Sequence, residues 1–174
     1  MEVTNYKAYR VIPIDRESEF NIGEVIPIPQ YRSDADVSEK RKKWEDIFEK
    51  KRKSICNNEP SRRATLFVFP HDQKYIDDWL SATYKSSESY VLLTLQLDGE
   101  VFWHNIDEYN QVVIMPDNEQ HVEKCAEKYW IDLGNDFSGI DSVEGLFRGT
   151  AKVINKEIKT YSSKNEPIKK TTSL

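Results

Sequence analysis

The sequence predicts one mixed α+β domain, and three observations carry that expectation. Apolar and β-branched residues alternate in "YKAYRVIPI" near the start and recur in "EGLFRGTAKVINKEI" near the end, as strands require. Three segments between them instead repeat apolar residues at helical spacing. Finally, "SYVLLTLQLDGEVFWHNI" sets two strand-like runs on either side of Asp98–Gly99.

Taken in order, the first strand ends near Pro13, and Gly23 to Pro29 forms a short extended piece punctuated by Pro27 and Pro29. Asp34 to Val37 is polar and loop-like. Ser38 then caps a helix reaching about Ile55, with Trp44, Ile47, Phe48 and Ile55 on one face and lysines on the other. Asn57 to Pro60 break it, and Ala64 to Phe69 reads as a strand that Pro70 ends. In "HDQKYIDDWLSATY", Asp72 can cap a helix whose Tyr75, Ile76, Trp79 and Leu80 share a face. Asp98–Gly99 is expected to turn a hairpin, because that dipeptide tolerates the positive φ angles of a two-residue turn. Val122, Cys125, Ala126, Tyr129 and Trp130 mark an amphipathic helix, followed by the final strand. The expected domain spans residues 1–160, and the polar tail 161–174 is expected to be disordered.

Composition bounds the function. The chain has 174 residues, enough for one domain with a core, and its 11% aromatic content is more than a disordered chain carries. No apolar run approaches the roughly 18 residues of a membrane span, and no signal-peptide core opens the chain, so a cytoplasmic protein without a membrane partner is expected. Two cysteines, Cys56 and Cys125, make neither a disulfide framework nor a zinc site. The net charge of −5 opposes nonspecific nucleic-acid coating. A local exception is the stretch from Glu39 to Arg63, with ten Lys and Arg against five Asp and Glu. Its basic face, Lys40–Arg63, is a candidate nucleic-acid contact or the solvated side of a helix.

No glycine-rich phosphate loop, nucleophile elbow or metal-binding His-Glu-x-x-His is present. His71, His104 and His121 lack ligand spacing and are expected at the surface or half-buried, with no metal. What remains is Arg10 in mid-strand, Ser61 and Arg62 before the second long strand, Tyr129 and Trp130 at a helix end, and Glu144 before the last strand. Singly, each has an ordinary structural explanation.

As an ordered series, "YRV", "EPSRRATLF", the Tyr-Trp pair and "SVEGLFRGTAKVI" resemble the ADP-ribosyltransferase-like superfamily in its Arg–Ser–Glu branch. The likeness covers roughly Tyr9 to Ile158 and is to small bacterial and phage members. It implies a split mixed sheet with flanking helices and NAD as substrate. It also implies Arg10, then Arg62, on the dinucleotide phosphates, Ser61 shaping the nicotinamide pocket, and Glu144 acting on the ribose. Phe67, Tyr129 and Trp130 are candidates to stack on the nicotinamide or adenine. The chain departs from the family pattern at Ser142, two positions before the glutamate, where an acidic or amide residue accompanies arginine-modifying activity. It departs again where Ser61-Arg62-Arg63 replaces a Ser-Thr-Ser run.

The chemistry needs these residue types. Cleaving the nicotinamide–ribose bond builds positive charge on the ribose, which a nearby carboxylate stabilises. A diphosphate suits arginine's planar, permanently charged fork. The expectation is therefore an NAD-dependent mono-ADP-ribosyltransferase acting on a host macromolecule in phage–bacterium conflict, on protein before nucleic acid. The alternative is a non-catalytic inhibitor on the same fold that binds a host factor.

Overall fold

In the computed structural model, residues 1–28, 38–115 and 117–162 are described. The expected loop at Asp34 to Val37 and all of the expected tail beyond Ser162 lie outside them. Among the described residues there are five strands: β1 (Glu2–Pro13), β2 (Val25–Ile26), β3 (Leu66–Pro70), β4 (Ser89–Asn105) and β5 (Val143–Thr160). Four α-helices accompany them: α1 (Glu39–Ile55), α2 (Lys74–Thr83), α3 (Ile106–Asn110) and α4 (Glu119–Tyr129).

The α+β class holds, but every strand pairing among the described residues is antiparallel, where a mixed sheet was expected. β4 is central, with β1 on one side and β5 on the other, and β3 bridges β1 and β5. The pairings therefore close on themselves and enclose a core. Alternate residues point into it, among them Ala8, Ile12, Leu66, Val68, Leu93, Leu95, Trp103, Phe147 and Val153. The outer face carries two further clusters. One packs α1 and α4 over Leu146 and Phe67; the other packs Ile76 and Leu80 of α2 over Phe69 and Leu92.

The Asp98–Gly99 hairpin is the main correction. β4 runs unbroken through this dipeptide, and Gly99 lies opposite Gly149 of β5. Both glycines have positive φ, +151° and +140°. A Cβ on Gly99 would sit 2.3 Å from the Arg148 carbonyl oxygen, and one on Gly149 would sit 2.4 Å from that of Asp98. These glycines thus allow two backbones to approach closely rather than one to reverse. All 17 residues of β4 are registered against β5, a long-range ladder that overrides local turn preference.

The helices form where their periodicity places them. The Ser38 hydroxyl accepts a hydrogen bond from the Arg41 amide at 3.3 Å and caps α1. Ser38→Ala should lower stability by about 1 kcal/mol in denaturant unfolding, the usual cost of losing such a cap. Phe48 is fully buried, with Trp44 and Ile47 beside it, whereas Ile55 is exposed. On α4, Val122, Cys125, Ala126 and Tyr129 are buried as expected, and Trp130 donates from Nε1 to the Phe48 carbonyl at 2.8 Å, tying α4 to α1. Asp72 accepts from the Lys74 amide at the start of α2. Tyr161, at the edge of the expected tail, is held by backbone hydrogen bonds to Ser87 and Glu88.

Candidate active site

Four of the residues singled out in the sequence, Arg62, Phe67, Tyr129 and Glu144, come together on the outer face of β5. Glu144 is its second residue; Leu146, two positions on, packs in the α1–α4 cluster, so alternation turns Glu144 toward the same helices. Gly145 between them has no side chain because the Trp103 ring lies there: a Cβ would be 2.6 Å from it. Glu144 is only 5% exposed. Arg62 enters from a three-residue 3-10 turn, 62–64, capped by Ser61, whose hydroxyl accepts from the Arg63 amide.

Arg62, Tyr129 and Glu144 form a closed triangle. Arg62 Nη1 donates to both the Tyr129 hydroxyl and Glu144 Oε1, and the Tyr129 hydroxyl donates to Glu144 Oε1 at 2.7 Å. Both donors use Oε1. Glu45 of α1 adds a second carboxyl group, 3.7 Å from Arg62 Nε. The guanidinium also lies against three rings, with its carbon 4.1 Å from the Tyr109 centroid, 4.8 Å from Tyr129 and 5.0 Å from Phe67.

Burial disfavours the Arg62 charge, but Glu144, Tyr129, Glu45 and Tyr109 outweigh it and hold the proton well above the ordinary arginine range. Burial raises the Tyr129 phenol well above its usual value; Arg62 pulls it down and Glu144 pushes it further up. At neutral pH the site therefore contains a charged Arg62 and a protonated Tyr129 able to donate.

The other expected residues lie at the margin. Arg10 Nη1 donates to the Phe67 carbonyl at 2.9 Å and so meets the cluster through the β3 backbone. By alternation, however, Arg10 shares the side of β1 that carries Ala8 and Ile12 toward the interior, opposite the face on which Glu144 lies. Trp130 stands edge-on to the Tyr129 ring, centroids 4.9 Å apart.

Four participants had not been singled out. Glu45 had a readable signal: a carboxyl group next to Trp44 on the apolar stripe of α1. Tyr109, which donates to Glu45 Oε1 at 2.8 Å, had none, since it lies in a five-residue helix too short to show periodicity. His104 and Glu59 form a buried pair, Nε2 to Oε2 3.0 Å, behind Tyr129. His104 was expected at the surface or half-buried but is fully buried, stacked on Tyr129 with Nδ1 2.9 Å from its carbonyl oxygen. It occupies the β4 position directly opposite Glu144.

Near this pair, the Cys56 thiol is pushed up to about 12 by burial and then by the Glu59 charge. Since the thiolate is the reactive form, native protein at pH 8 should alkylate at Cys56 far more slowly than a free thiol, as timed mass spectrometry would read. In the unfolded chain this thiol ionises near its ordinary 9.0 while the folded one keeps its proton. Stability should therefore fall as pH rises from about 9 toward 12.

The basic face of α1 is largely engaged. Lys40 pairs with Asp117, Lys43 with Glu119, and Lys51 with Glu123 and Glu127, all from the α4 region. Arg63 pairs with Asp46, and Arg52 with Glu49. Among the described residues, no group of three or more His, Cys, Asp or Glu could hold a metal ion, and no helix is long and apolar enough to cross a membrane. Residues 15–160 match a family described as a protein of unknown function, DUF2441. No curated protein matches the chain.

Proposed function

We propose that this chain, which belongs to the DUF2441 family, is an NAD-dependent mono-ADP-ribosyltransferase with Glu144 as its catalytic carboxyl group. The observation supporting this reading is convergence. Arg62 and Glu144, 82 positions apart in the chain, meet with Tyr129 and Phe67 in one cluster, with Ser61 capping the turn that delivers Arg62. Of the series chosen for its order along the chain, Arg62, Phe67, Tyr129 and Glu144 are neighbours in space, while Arg10 is not.

In the proposed reaction, the bond between the ribose and the nicotinamide nitrogen breaks and its electron pair leaves with nicotinamide. Glu144 Oε2 is the oxygen available to stabilise the positive charge left on the ribose and to orient the acceptor nucleophile. Tyr129 and Arg62, by holding Oε1, fix the carboxyl plane. Arg10, turned to the other side of the sheet, is given no part in this geometry. The acceptor is proposed to be a host protein before nucleic acid, because α1 already spends much of its basic charge on carboxylates in and just before α4.

The test is transfer of label from adenylate-labelled NAD in a cell lysate, with protein and nucleic-acid fractions counted separately. Wild type should label a macromolecule, and Glu144→Gln should reduce labelling at least about 100-fold. No label and no released nicotinamide would favour the second reading, a non-catalytic inhibitor of a host factor. One observation already leans that way: Glu144 is nearly buried and its Oε1 is doubly engaged.

A further inference from the structure

One edge of β5 is paired with β4 throughout, but the other edge is only partly covered. β3 takes that edge at Gly145 to Phe147, and β2 with the residues before it takes Ala151 to Val153. From Lys156 to Thr160 the edge has no backbone partner among the described residues. Val153 exchanges hydrogen bonds with Gly23 and Glu24, so its amide and carbonyl face away from β4. Ile154 is then an extra residue in the ladder, a bulge between Val153, opposite Leu95, and Asn155, opposite Thr94. It shifts the alternation by one, and Tyr161 accordingly bonds to Ser87 and Glu88 on the β4 side. Lys156, Ile158 and Thr160 therefore turn their N–H and C=O groups to the open edge. Ile158 stands in one cross-strand row with the buried Ile12 and Val91, yet it is 62% exposed. Lysines commonly blunt such an edge, but here their charge is compensated: Lys156 pairs with Glu17, and Lys159 with Glu157.

We propose that this edge is a homodimer interface, where β5 pairs antiparallel with β5 of a second copy about a two-fold axis at Ile158. The edge is self-complementary there. Ile158 meets its own copy, Lys156 lies opposite Thr160, and Glu157 lies opposite Lys159. With the ion pair already present within each strand, the four side chains form a square of alternating charge. Moving the axis by one residue either way sets Glu157 or Lys159 against its own copy, which repels. Glu144 lies at the opposite end of β5, so the interface is separate from the candidate active site and does not rest on the transferase reading. So short a strip makes a weak, reversible dimer, with a Kd of about 1–100 μM.

The experiment is sedimentation equilibrium of the full chain over a concentration series, with melting temperatures to show that each variant is folded. Wild type should dimerise reversibly. Glu157→Lys and Lys159→Glu each set like charges opposite one another twice per dimer, and each should weaken self-association at least about 10-fold. Both side chains are partly exposed, so folding should survive either change. Mixed in equal amounts, the two variants should associate with each other at least about 10-fold more tightly than either does with itself, because every charge again faces its opposite. Ile158→Lys should leave a monomer, since two lysines would meet on the axis. Wild type that stays monomeric up to about 500 μM would overturn the proposal. So would a dimer indifferent to both charge reversals, or a mixture of the two variants that associates no better than its components.

Discussion

Arg62→Ala is expected to lower unfolding stability by about 3–5 kcal/mol, the range for removing one partner of a buried ion pair. Little of this is lost attraction. Glu144 is nearly buried and the Glu45 side chain only 14% exposed, and without Arg62 both lose the cation beside them. Glu144 keeps only its hydrogen bond from Tyr129. The companion measurement is the double variant Arg62→Ala/Glu144→Gln. It should recover much of the loss, because glutamine leaves no stranded charge while preserving shape. A double-mutant cycle in urea gives the coupling, expected to exceed about 1 kcal/mol for groups sharing one network. A single-variant loss below that value would show that water reaches the pair and screens it, and the buried ion pair would then be wrong.

Gly99→Ala is expected to be comparably damaging, and for a reason unrelated to turns. The new Cβ would lie 2.3 Å from the Arg148 carbonyl oxygen and 2.8 Å from the Gly149 Cα. Both are backbone atoms of the paired strand and cannot swing aside as a side chain can. Residue 99 would also have to keep a φ of +151°, a region costing a non-glycine residue about 1–3 kcal/mol. Overpacking adds roughly as much again. Had Asp98–Gly99 been a hairpin turn at the surface, an alanine there would have cost strain alone. The two costs sum to about 2–6 kcal/mol, so the melting temperature should fall by about 4–24 °C, taking about 2–4 °C per kcal/mol for a chain of this length. A loss under about 1 kcal/mol would mean that the strands can separate locally at this point.

The two expected results illustrate what could be read in the chain. Local signals were reliable where a few neighbours decide the conformation. Ser38 caps α1 because its own hydroxyl meets an amide three residues on, and the Val122, Cys125, Ala126, Tyr129 stripe of α4 is buried as its spacing demands. Arg62, Tyr129 and Glu144 were legible as candidates because each is a chemically capable residue at the end of an apolar element. Their arrangement was not. Arg62 was expected to face phosphates, whereas its charge meets Glu144 and Glu45. The buried His104–Glu59 contact left no trace either, since neither residue has a telling neighbour in sequence.

The sequence by itself determined the α+β class, the placement of α1, α2, α4 and β5, and the absence among the described helices of a membrane span. Each of these depends on periodicity and caps acting over a turn or two of chain. Tertiary structure alone decided that Gly99 meets Gly149 instead of turning a hairpin. It also decided that Arg62 spends its charge on a carboxyl group 82 residues away. The physical reason is common to both. Close approach of backbones and compensation of buried charge are properties of pairs brought together by folding, and neither member of a distant pair carries the identity of the other.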